Sequence, residues 1–510
     1  MVIAHLLAAS LLLSASIALP SLPPCAAALA RAGVTVPLAF PSDAAYANAS
    51  RVNDPLFVGG AQSPPFVALP TSAEHVQAAL ACAAAAHARV GVKGGGHGPG
   101  GYSTLADGGA FMMSLESLSL RGTPPGTLVA WADAPAGAIR ASGGARWRDV
   151  YAFLDAAAPP ARVAAGGLCP TVGLGGYVQG GGLGPLTRSQ GLASDALLSA
   201  TVVLANGSSA ASTSSAHNSD LLFALRGGGG GNWGVVMEMT LATHLAAAAY
   251  TFTQACFSAA TAAEAVAIAG LHAAAALALP RDANADIIYD GSKGEACVWA
   301  IVGGNASYSA QVLAPLLKAA PPAPRPVTLE ALTFDSLWGL LQVYAVKHGY
   351  DEFGSMPWST RACFVNGSSA AHASFAAALV APLYGRGNAS SLCQVHVLHV
   401  GGALADVAPD ATAFPWRGAQ LMPYASCAWP AGNDGGAAEA ARGLALFAES
   451  LAVLGCNDSA YVNFQDRALT AAAAMRLNFG ANADRLLGVK NRWAPAGETP
   501  LRNPQEVGGR

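Results

Sequence analysis

Charged residues are scarce in this chain. Lysine and arginine number 27 and aspartate and glutamate 30 among 510 residues, which gives a formal net charge of −3. A surface that binds nucleic acid needs a concentrated excess of basic side chains to neutralise phosphates. We therefore expect no nucleic acid partner.

Long uninterrupted apolar runs are also rare, and the clearest one lies at the N-terminus. Residues 3–19 read IAHLLAASLLLSASIAL, a run that is short for a membrane span and has no basic cluster after it. Small residues at positions 15–18 suit a cleavage site. We predict a cleaved signal peptide at residues 1–19 rather than a membrane anchor, and a secreted protein without stable membrane insertion.

Paired cysteine motifs are absent. The nine cysteines include no CxxC pair and no cysteine–histidine cluster with zinc spacing, so we expect no metal. Nine is an odd number, which leaves one cysteine over in an oxidising compartment. Six N-x-S/T sequons agree with the secretory route, at Asn48, Asn206, Asn305, Asn366, Asn388 and Asn457.

Glycine, by contrast, is abundant and falls into three clusters. They read KGGGHGPGG at residues 93–101, GGLCPTVGLGGYVQGGGLG at 166–184 and RGGGGGNWG at 226–234. Glycine is entropically costly in regular structure, so such clusters indicate main chain that approaches a ligand closely, with N–H groups around an anion such as a pyrophosphate. Tight turns in a glycine-rich protein are the alternative. The string GLGGYV lacks the strand–glycine–helix order of a Rossmann fingerprint, and we do not predict that fold.

The pattern of elements changes along the chain. Short strands and helices alternate in the first half, whereas alanine-rich helices at 259–279, 370–380 and 437–454 alternate with strand-like runs further on. The tail contains a predicted short strand in AYVNFQDRAL and a helix that ends before Pro495. This alternation indicates an α+β protein with more than one domain.

Several of these segments resemble one family. The motifs VKGGGHGPGGYS, GLCPTVGLGGYVQGGGLGPLTRSQG and DLLFALRGGGGGNWGVV resemble those of the berberine bridge enzyme-like oxidases, which belong to the vanillyl-alcohol-oxidase or PCMH-type FAD-binding superfamily. Residues 401–417 and the tail resemble its C-terminal part. The resemblance implies a two-domain PCMH-type FAD-binding fold. An FAD-binding domain at 30–245 is completed by 459–510, and a substrate domain at 246–458 has an antiparallel sheet backed by helices.

The resemblance also implies FAD attached covalently at two residues. His97 matches the linking histidine of the KGGGH motif, and Cys169 matches the linking cysteine of the CPTVG motif. A solvated turn histidine and a buried free thiol are the alternatives. With Cys169 used by the flavin, eight cysteines are left, and the resemblance implies a Cys25–Cys82 disulfide.

Other cofactor contacts follow from the same resemblance. Val172, three residues after the cysteine, stands where a small apolar residue accompanies oxidase activity, and Tyr177 replaces a histidine of many relatives. The full set of further implied contacts is Gly94, Gly95, Gly96, Gly98, Val172, Gly173, Gly176, Tyr177, Gly182, Val235, Val236, Tyr461 and Asn463.

The family's catalytic base is missing from its usual position. The second tyrosine of a YxNY motif serves as the base in relatives, whereas this chain reads AYVNFQD, with Tyr461 retained and Phe464 at the base position. Phenylalanine cannot accept a proton. The candidates that are left are Tyr424, which we place by counting back from Trp429, and Tyr461. A tyrosine with an ordinary pKa near 10 needs a neighbour that favours its ionised form before it can act as a base at neutral pH. The alternative is that Tyr424 only lines the substrate site as an aromatic side chain.

The implied function is that of a flavin oxidase. It would take a hydride from a hydroxyl-bearing small molecule, either a sugar or oligosaccharide or an aromatic alcohol, and pass electrons to dioxygen to give hydrogen peroxide. A flavin-loaded protein with lost turnover, a dehydrogenase and an oxidative cyclase are the alternatives. We expect a monomer. His396 and His399 lie three apart in a predicted strand and so point to opposite faces, which argues against a metal pair and leaves one near the active-site face.

Overall fold

The computed structural model describes residues 33–57, 63–104, 110–207, 210–290, 293–318, 326–349, 356–366, 392–453, 456, 458–493 and 501. The predicted signal peptide at 1–19, the predicted helix at 370–380, Cys25, Asn388 and Asn457 lie outside this part of the chain. Cys82 is disulfide-bonded, and its pairing with Cys25 stays a prediction.

Eighteen strands occur within the described residues. In chain order they are β1 (Leu38–Ala39), β2 (Val67–Ala68), β3 (Arg89–Lys93), β4 (Ala110–Ser114), β5 (Val129–Asp133), β6 (Ala138–Ser142), β7 (Arg162–Val163), β8 (Leu197–Val203), β9 (Ala210–Ser214), β10 (Val235–Ala242), β11 (His244–Leu245), β12 (Tyr250–Ser258), β13 (Ala283–Asp290), β14 (Glu295–Val302), β15 (Thr328–Phe334), β16 (Trp358–Ala362), β17 (Leu392–His399) and β18 (Leu421–Ala428).

Thirteen α-helices accompany them in the same part of the chain. They are α1 (Tyr46–Ser50), α2 (Ala73–Ala85), α3 (Trp147–Asp155), α4 (Leu174–Gln179), α5 (Thr187–Gln190), α6 (Ser219–Leu225), α7 (Ala262–Ala278), α8 (Ala306–Val312), α9 (Ala314–Leu317), α10 (Leu337–His348), α11 (Asp434–Val453), α12 (Ala471–Phe479) and α13 (Ala483–Trp493).

The strands form sheets of different kinds in the two halves of the chain. The first half has a mixed sheet of order β1-β2-β4-β3 and an antiparallel sheet of order β5-β6-β10-β8-β9. The second half has one seven-stranded antiparallel sheet of order β15-β12-β14-β13-β17-β18-β16. Strands β7 and β11 form a separate pair. The predicted α+β class is confirmed.

Local sequence signals explain where the helices begin. The side chain of Ser72 accepts a hydrogen bond from the main-chain N–H of His75 and caps α2. Thr261 and Glu264 form a reciprocal capping box at the start of α7. Helix α7 lies within the predicted helix at 259–279.

The seven-stranded sheet has two different faces. Val395 and Ala425 point to one side, where they pack with Phe447 of α11 in an apolar core. His396 and Tyr424, one residue away along each strand, point to the other side because side chains alternate across a sheet. That second face joins an apolar cluster with the glycine-rich segments of the first half.

Two buried arginines tie the halves together. Arg188 of α5 is 5 % exposed, and its guanidinium donates to the main-chain carbonyls of Ala283, Val400 and Leu279 at 2.8–2.9 Å. Arg417 donates to both carboxylate oxygens of Asp195 at 2.8 and 2.7 Å. Arg188 and Asp195 belong to the first half of the chain and their partners to the second. These hydrogen bonds therefore hold the second face of the sheet against the glycine-rich loops.

The prediction of a short strand in the tail is wrong. Residues 458–470 form turns without a strand partner in the described chain. The Phe464 N–H donates to the Tyr461 carbonyl, and the Ala468 N–H donates to the Asp466 carboxylate. These local bonds compete with strand pairing. The predicted helix that follows is confirmed as α13.

Candidate active site

Two glycine loops meet main chain against main chain. One follows β3 and contains Gly95, and the other precedes α4 and contains Gly173. A Cβ atom added to Gly95 would overlap the main-chain nitrogen of Gly173, and one added to Gly173 would overlap that of Gly95. Neither position can carry a side chain without separating the loops. The contact brings the loop of His97 against the loop of Cys169.

His97 lies at this junction and is half-buried. Its Nε2 atom lies 2.9 Å from the hydroxyl oxygen of Thr171, two residues after Cys169. Burial, assisted by the positive charge of Arg146, lowers the pKa of His97 to about 3. The imidazole is therefore neutral at physiological pH and keeps a nucleophilic lone pair.

Cys169 carries a free thiol. Six other cysteines form the disulfides Cys256–Cys297, Cys363–Cys456 and Cys393–Cys427, so among the described cysteines Cys169 is the one outside a disulfide. Burial raises its pKa to about 12. The side chain is half-buried, and Cys169 precedes by two residues the Thr171 hydroxyl that His97 contacts.

The other predicted glycines line the loops in two ways. Gly94 and Gly98 are partly or fully exposed beside His97, and a Cβ atom on Gly176 would meet nothing within 4 Å. Gly96 has a φ of +74°, and a Cβ atom on Gly182 would overlap the ring of Tyr177. The exposed glycines leave bare main chain at an open surface, which suits a large flat ligand.

Tyr461 and Asn463 hold the second loop from the tail. The Tyr461 hydroxyl oxygen accepts hydrogen bonds from the main-chain N–H groups of Gly182 and Leu183 and from the Asn463 amide, each at 3.1 Å. The Asn463 amide also donates to the Tyr177 carbonyl at 3.0 Å. Burial raises the pKa of Tyr461. These contacts make Tyr461 a fixed part of the loop's support.

The remaining predicted contacts lie close to this loop or in the core behind it. The Tyr177 ring packs edge-on against Trp147 at 5.3 Å, and its hydroxyl donates to the Leu183 carbonyl. Val172 is partly buried beside Cys169. Val235 and Val236 are buried at the start of β10.

Four ring side chains form a row between the tail and the second sheet face. Tyr424 of β18 lies opposite His396 of β17, and their rings stack at 4.5 Å with an interplanar angle of 14°. Phe464 lies 4.7 Å from Tyr424 and 5.2 Å from Tyr461. The residue at the family's base position thus stands between the two predicted catalytic tyrosines.

A hydrogen-bonded row continues from this cluster along the sheet. His396 Nε2 lies 3.3 Å from Gln394 Oε1, and Gln394 Nε2 donates to an Asp290 carboxylate oxygen at 2.9 Å. Lys293 Nζ lies 3.6 Å from the same carboxylate. Gln394 and Asp290 belong to no motif that the sequence analysis recognised, although alternation along the strands would have placed Gln394 on the face of His396.

The residues at the junction fit an FAD. Paired loops of bare main chain can lie against a flavin, and the neutral imidazole of His97 and the free thiol of Cys169 stand on these two contacting loops as possible points of attachment. The cavity of about 740 Å³ beside Arg361, Trp429 and α11 is a different space, because its lining residues include neither His97 nor Cys169.

Comparison with known proteins identifies an FAD binding domain in the first half of the chain. Residues 64–210 match the family described as FAD binding domain. Glucooligosaccharide oxidase of Sarocladium strictum is 37 % identical over 145 residues, which are 28 % of this chain and 27 % of that protein. Tetrahydroberberine oxidase of Argemone mexicana is 32 % identical over 146 residues, which are 29 % of this chain and 25 % of that protein. The aligned part thus spans about a quarter of these curated relatives.

The similarity of structure extends over almost the whole chain. The crystal structure of an Acremonium strictum glucooligosaccharide oxidase has a TM-score of 0.78 and 25 % identity, and the match covers 95 % of this chain and 98 % of that one. A variant of Physcomitrella patens BBE-like 1 has a TM-score of 0.79 and 21 % identity, with coverage of 95 % and 100 %. Residues 64–210 thus match an FAD binding domain, and the α+β fold of the chain is similar to that of berberine bridge enzyme-like and oligosaccharide oxidase structures.

Proposed function

We propose that the protein is a secreted FAD-dependent oxidase of a hydroxyl-bearing small molecule that gives hydrogen peroxide from dioxygen. The observation that supports the proposal is the contact between the two glycine loops, one of which carries the neutral His97 and the other the free thiol of Cys169. We also propose the domain boundaries 30–245 and 459–510 for the FAD-binding domain and 246–458 for the substrate domain.

We propose that His97 and Cys169 both hold the flavin covalently. A related protein, the glucooligosaccharide oxidase from Acremonium strictum, has a 6-S-cysteinyl, 8α-N1-histidyl FAD. Here the Nε2 atom of His97 contacts Thr171, and we assign attachment to the other ring nitrogen. When bound, FAD supplies the hydride acceptor and the electrons for dioxygen.

A sugar or oligosaccharide is the substrate class that we favour. The second sheet face offers hydrogen-bonding groups in the row Asp290, Gln394 and His396 next to the aromatic faces of Tyr424 and Phe464. Hydroxyl groups suit the row and a sugar ring suits the aromatic faces. Related proteins are named glucooligosaccharide and xylooligosaccharide oxidase. An aromatic alcohol is the second choice.

Val172 supports an oxidase rather than a dehydrogenase. It lies beside Cys169, partly buried and apolar, and we propose that it leaves room for dioxygen near the flavin. Of the two predicted catalytic tyrosines, Tyr461 supports the second loop, because its oxygen accepts three hydrogen bonds there, and Tyr424 lies on the second sheet face beside Phe464.

Phe464 favours one alternative, a flavin-loaded protein with lost turnover. Its ring occupies the position of the family's base and brings no titratable group. Because proton removal supports hydride transfer, this substitution alone would slow oxidation unless another side chain takes the proton.

Secretion is part of the proposal. No helix within the described residues has the length and apolarity needed to span a membrane. Three disulfides in the second half of the chain and six sequons agree with an oxidising compartment. We propose a glycosylated monomer.

The function is tested by mixing the purified protein anaerobically with oligosaccharides and aryl alcohols and following flavin bleaching, then admitting air and measuring peroxide. Bleaching with prompt peroxide formation is expected for at least one sugar. The control is the double variant His97→Ala/Cys169→Ala, which should not retain covalent flavin.

Three other outcomes would contradict the proposal. Bleaching followed by slow reaction with air would indicate a dehydrogenase. A product with a new carbon–carbon or carbon–oxygen bond would indicate an oxidative cyclase. Absence of bleaching in the wild type, with bleaching in Phe464→Tyr, would indicate lost turnover.

A further inference from the structure

The row on the second sheet face fixes the tautomer of a histidine. An ionised Asp290 accepts hydrogen bonds only, so the side chain of Gln394 must present its NH2 group to Asp290. The Gln394 amide oxygen is then turned toward His396 Nε2. An amide oxygen accepts, so Nε2 carries the ring proton and Nδ1 carries the lone pair.

The ring of His396 is also held in place. It is 7 % exposed and stacks on Tyr424, which also contacts Phe464. Parallel rings at 4.5 Å do not place the imidazole edge toward the Tyr424 hydroxyl. The stacked arrangement therefore does not couple the two groups by a direct hydrogen bond.

Burial lowers the pKa of His396 to about 4, and the negative charge of Asp290 opposes this effect. The imidazole is thus neutral throughout the neutral range. The charged group that acts on the ring is Asp290, with its partner Lys293, and Tyr424 stacks on it. By strand register Asp286 and Glu295 lie on the same sheet face, and the tail contributes the uncharged Phe464.

We infer that His396 is the catalytic base of this protein, with Nδ1 as the proton acceptor, and that Gln394 and Asp290 are positioning residues that fix its tautomer. The inference rests on the proposed function. Nδ1 would accept the substrate's hydroxyl proton, and FAD, when bound, would supply the acceptor for the hydride from the same carbon, so that the alcohol becomes a carbonyl. The base would thus lie on β17, because the tail carries Phe464 at the position of the family's base.

The first test needs no substrate. Selective 15N labelling of histidine and long-range 1H–15N correlation report the tautomer and pKa of each ring. For His396, identified by the signal lost in His396→Gln, we expect the Nε2–H tautomer at neutral pH and a pKa well below 6.5. Asp290→Asn should lower that pKa further, since it removes a negative charge that favours the protonated ring. An Nδ1–H tautomer, or a ring charged at neutral pH, would overturn the inference.

The second test measures the rate of anaerobic flavin reduction by an active sugar. Loss of a general base typically costs about 10²- to 10⁴-fold, so His396→Gln should slow reduction at least about 100-fold with its flavin spectrum unchanged. Tyr424→Phe keeps the stacked ring and should change the rate less than about tenfold. The matched control is His217→Gln, an exposed histidine, which should react like the wild type.

The outcomes separate the two proposals. If the wild type is reduced and His396→Gln reacts equally fast, or if Tyr424→Phe shows the large loss instead, the role of His396 is wrong and the proposed function stands. If no substrate reduces the wild type, the proposed function fails. The catalytic role of His396 then fails too, and the labelling experiment still determines which tautomer its ring adopts.

Discussion

Gly95 and Gly173 show how much of the site depends on missing side chains. A Cβ atom on Gly95 would overlap main-chain atoms of the other loop, which cannot rotate away. We expect Gly95→Ala to lower the free energy of unfolding by about 1–3 kcal/mol, the usual cost of overpacking, and to reduce flavin content.

Chemical denaturation and the ratio of flavin to protein absorbance measure both effects. Gly270→Ala in α7 is the matched control, because a Cβ atom there would meet nothing within 4 Å. The control should be neutral or more stable by about 0.5–1 kcal/mol, since alanine favours a helix over glycine. Equal stability of the two variants would show that the loops are not in close contact.

The carboxyl group of Asp286 should make the free energy of unfolding depend on pH. Burial raises the pKa of its carboxyl to about 7, against hydrogen bonds from the His399 N–H and the Asn284 amide and the charge of Arg188. The folded protein then holds a proton that the unfolded chain releases from about pH 4 upward. This carboxyl therefore contributes less to stability as the pH rises from about 4 to 7, and its contribution is constant above that range.

The Asp286 prediction is checked by urea unfolding at several pH values. The stability of the wild type relative to Asp286→Asn should fall across this range and then level off. Asp282→Asn, at an exposed position of the preceding turn, is the control. A difference between wild type and Asp286→Asn that is independent of pH would contradict the raised pKa.

At the scale of elements, the junction between the two halves depends on α5. Arg188 donates to three main-chain carbonyls that belong to the second half of the chain. We expect Arg188→Ala to destabilise the protein by about 3–5 kcal/mol, because it leaves buried carbonyls without donors.

The Arg188 prediction is checked by denaturant unfolding. Arg492→Ala is the matched control, since the Arg492 side chain is 67 % exposed and pairs with Asp220 at the surface. Exposed ion pairs contribute about 0–1 kcal/mol. Similar losses for both variants would mean that Arg188 does not hold the junction.

Local sequence signals explain where helices such as α2 and α7 begin. They do not explain which elements pack against one another. The Ser72 cap and the Thr261–Glu264 capping box locate α2 and α7, because these signals act within one turn of helix. The tail segment around Tyr461 alternates like a strand but folds into turns. Its donors and acceptors are taken up by neighbouring residues, and the phenol oxygen binds a distant loop.

At the scale of the whole molecule, the antiparallel sheet backed by helices was predictable from the family's motifs. The chemistry on its second face was not. His396 could be placed on a strand, but its partnership with Gln394, Asp290 and Tyr424 depends on the pairing of β13, β17 and β18. Such pairings join residues about 30 to 100 positions apart and leave no local pattern. The contact of Gly95 with Gly173 likewise joins residues far apart in the sequence and leaves no local pattern.

The double attachment of FAD is the central claim, and peptide mass spectrometry of the digested yellow protein tests it most directly. We expect one flavin joined to both the His97 peptide and the Cys169 peptide. In His97→Ala the flavin should stay on the Cys169 peptide alone, and in Cys169→Ser on the His97 peptide alone. Unmodified His97 and Cys169 peptides from yellow protein would contradict the double attachment, and colourless, correctly folded protein would contradict the binding of FAD itself.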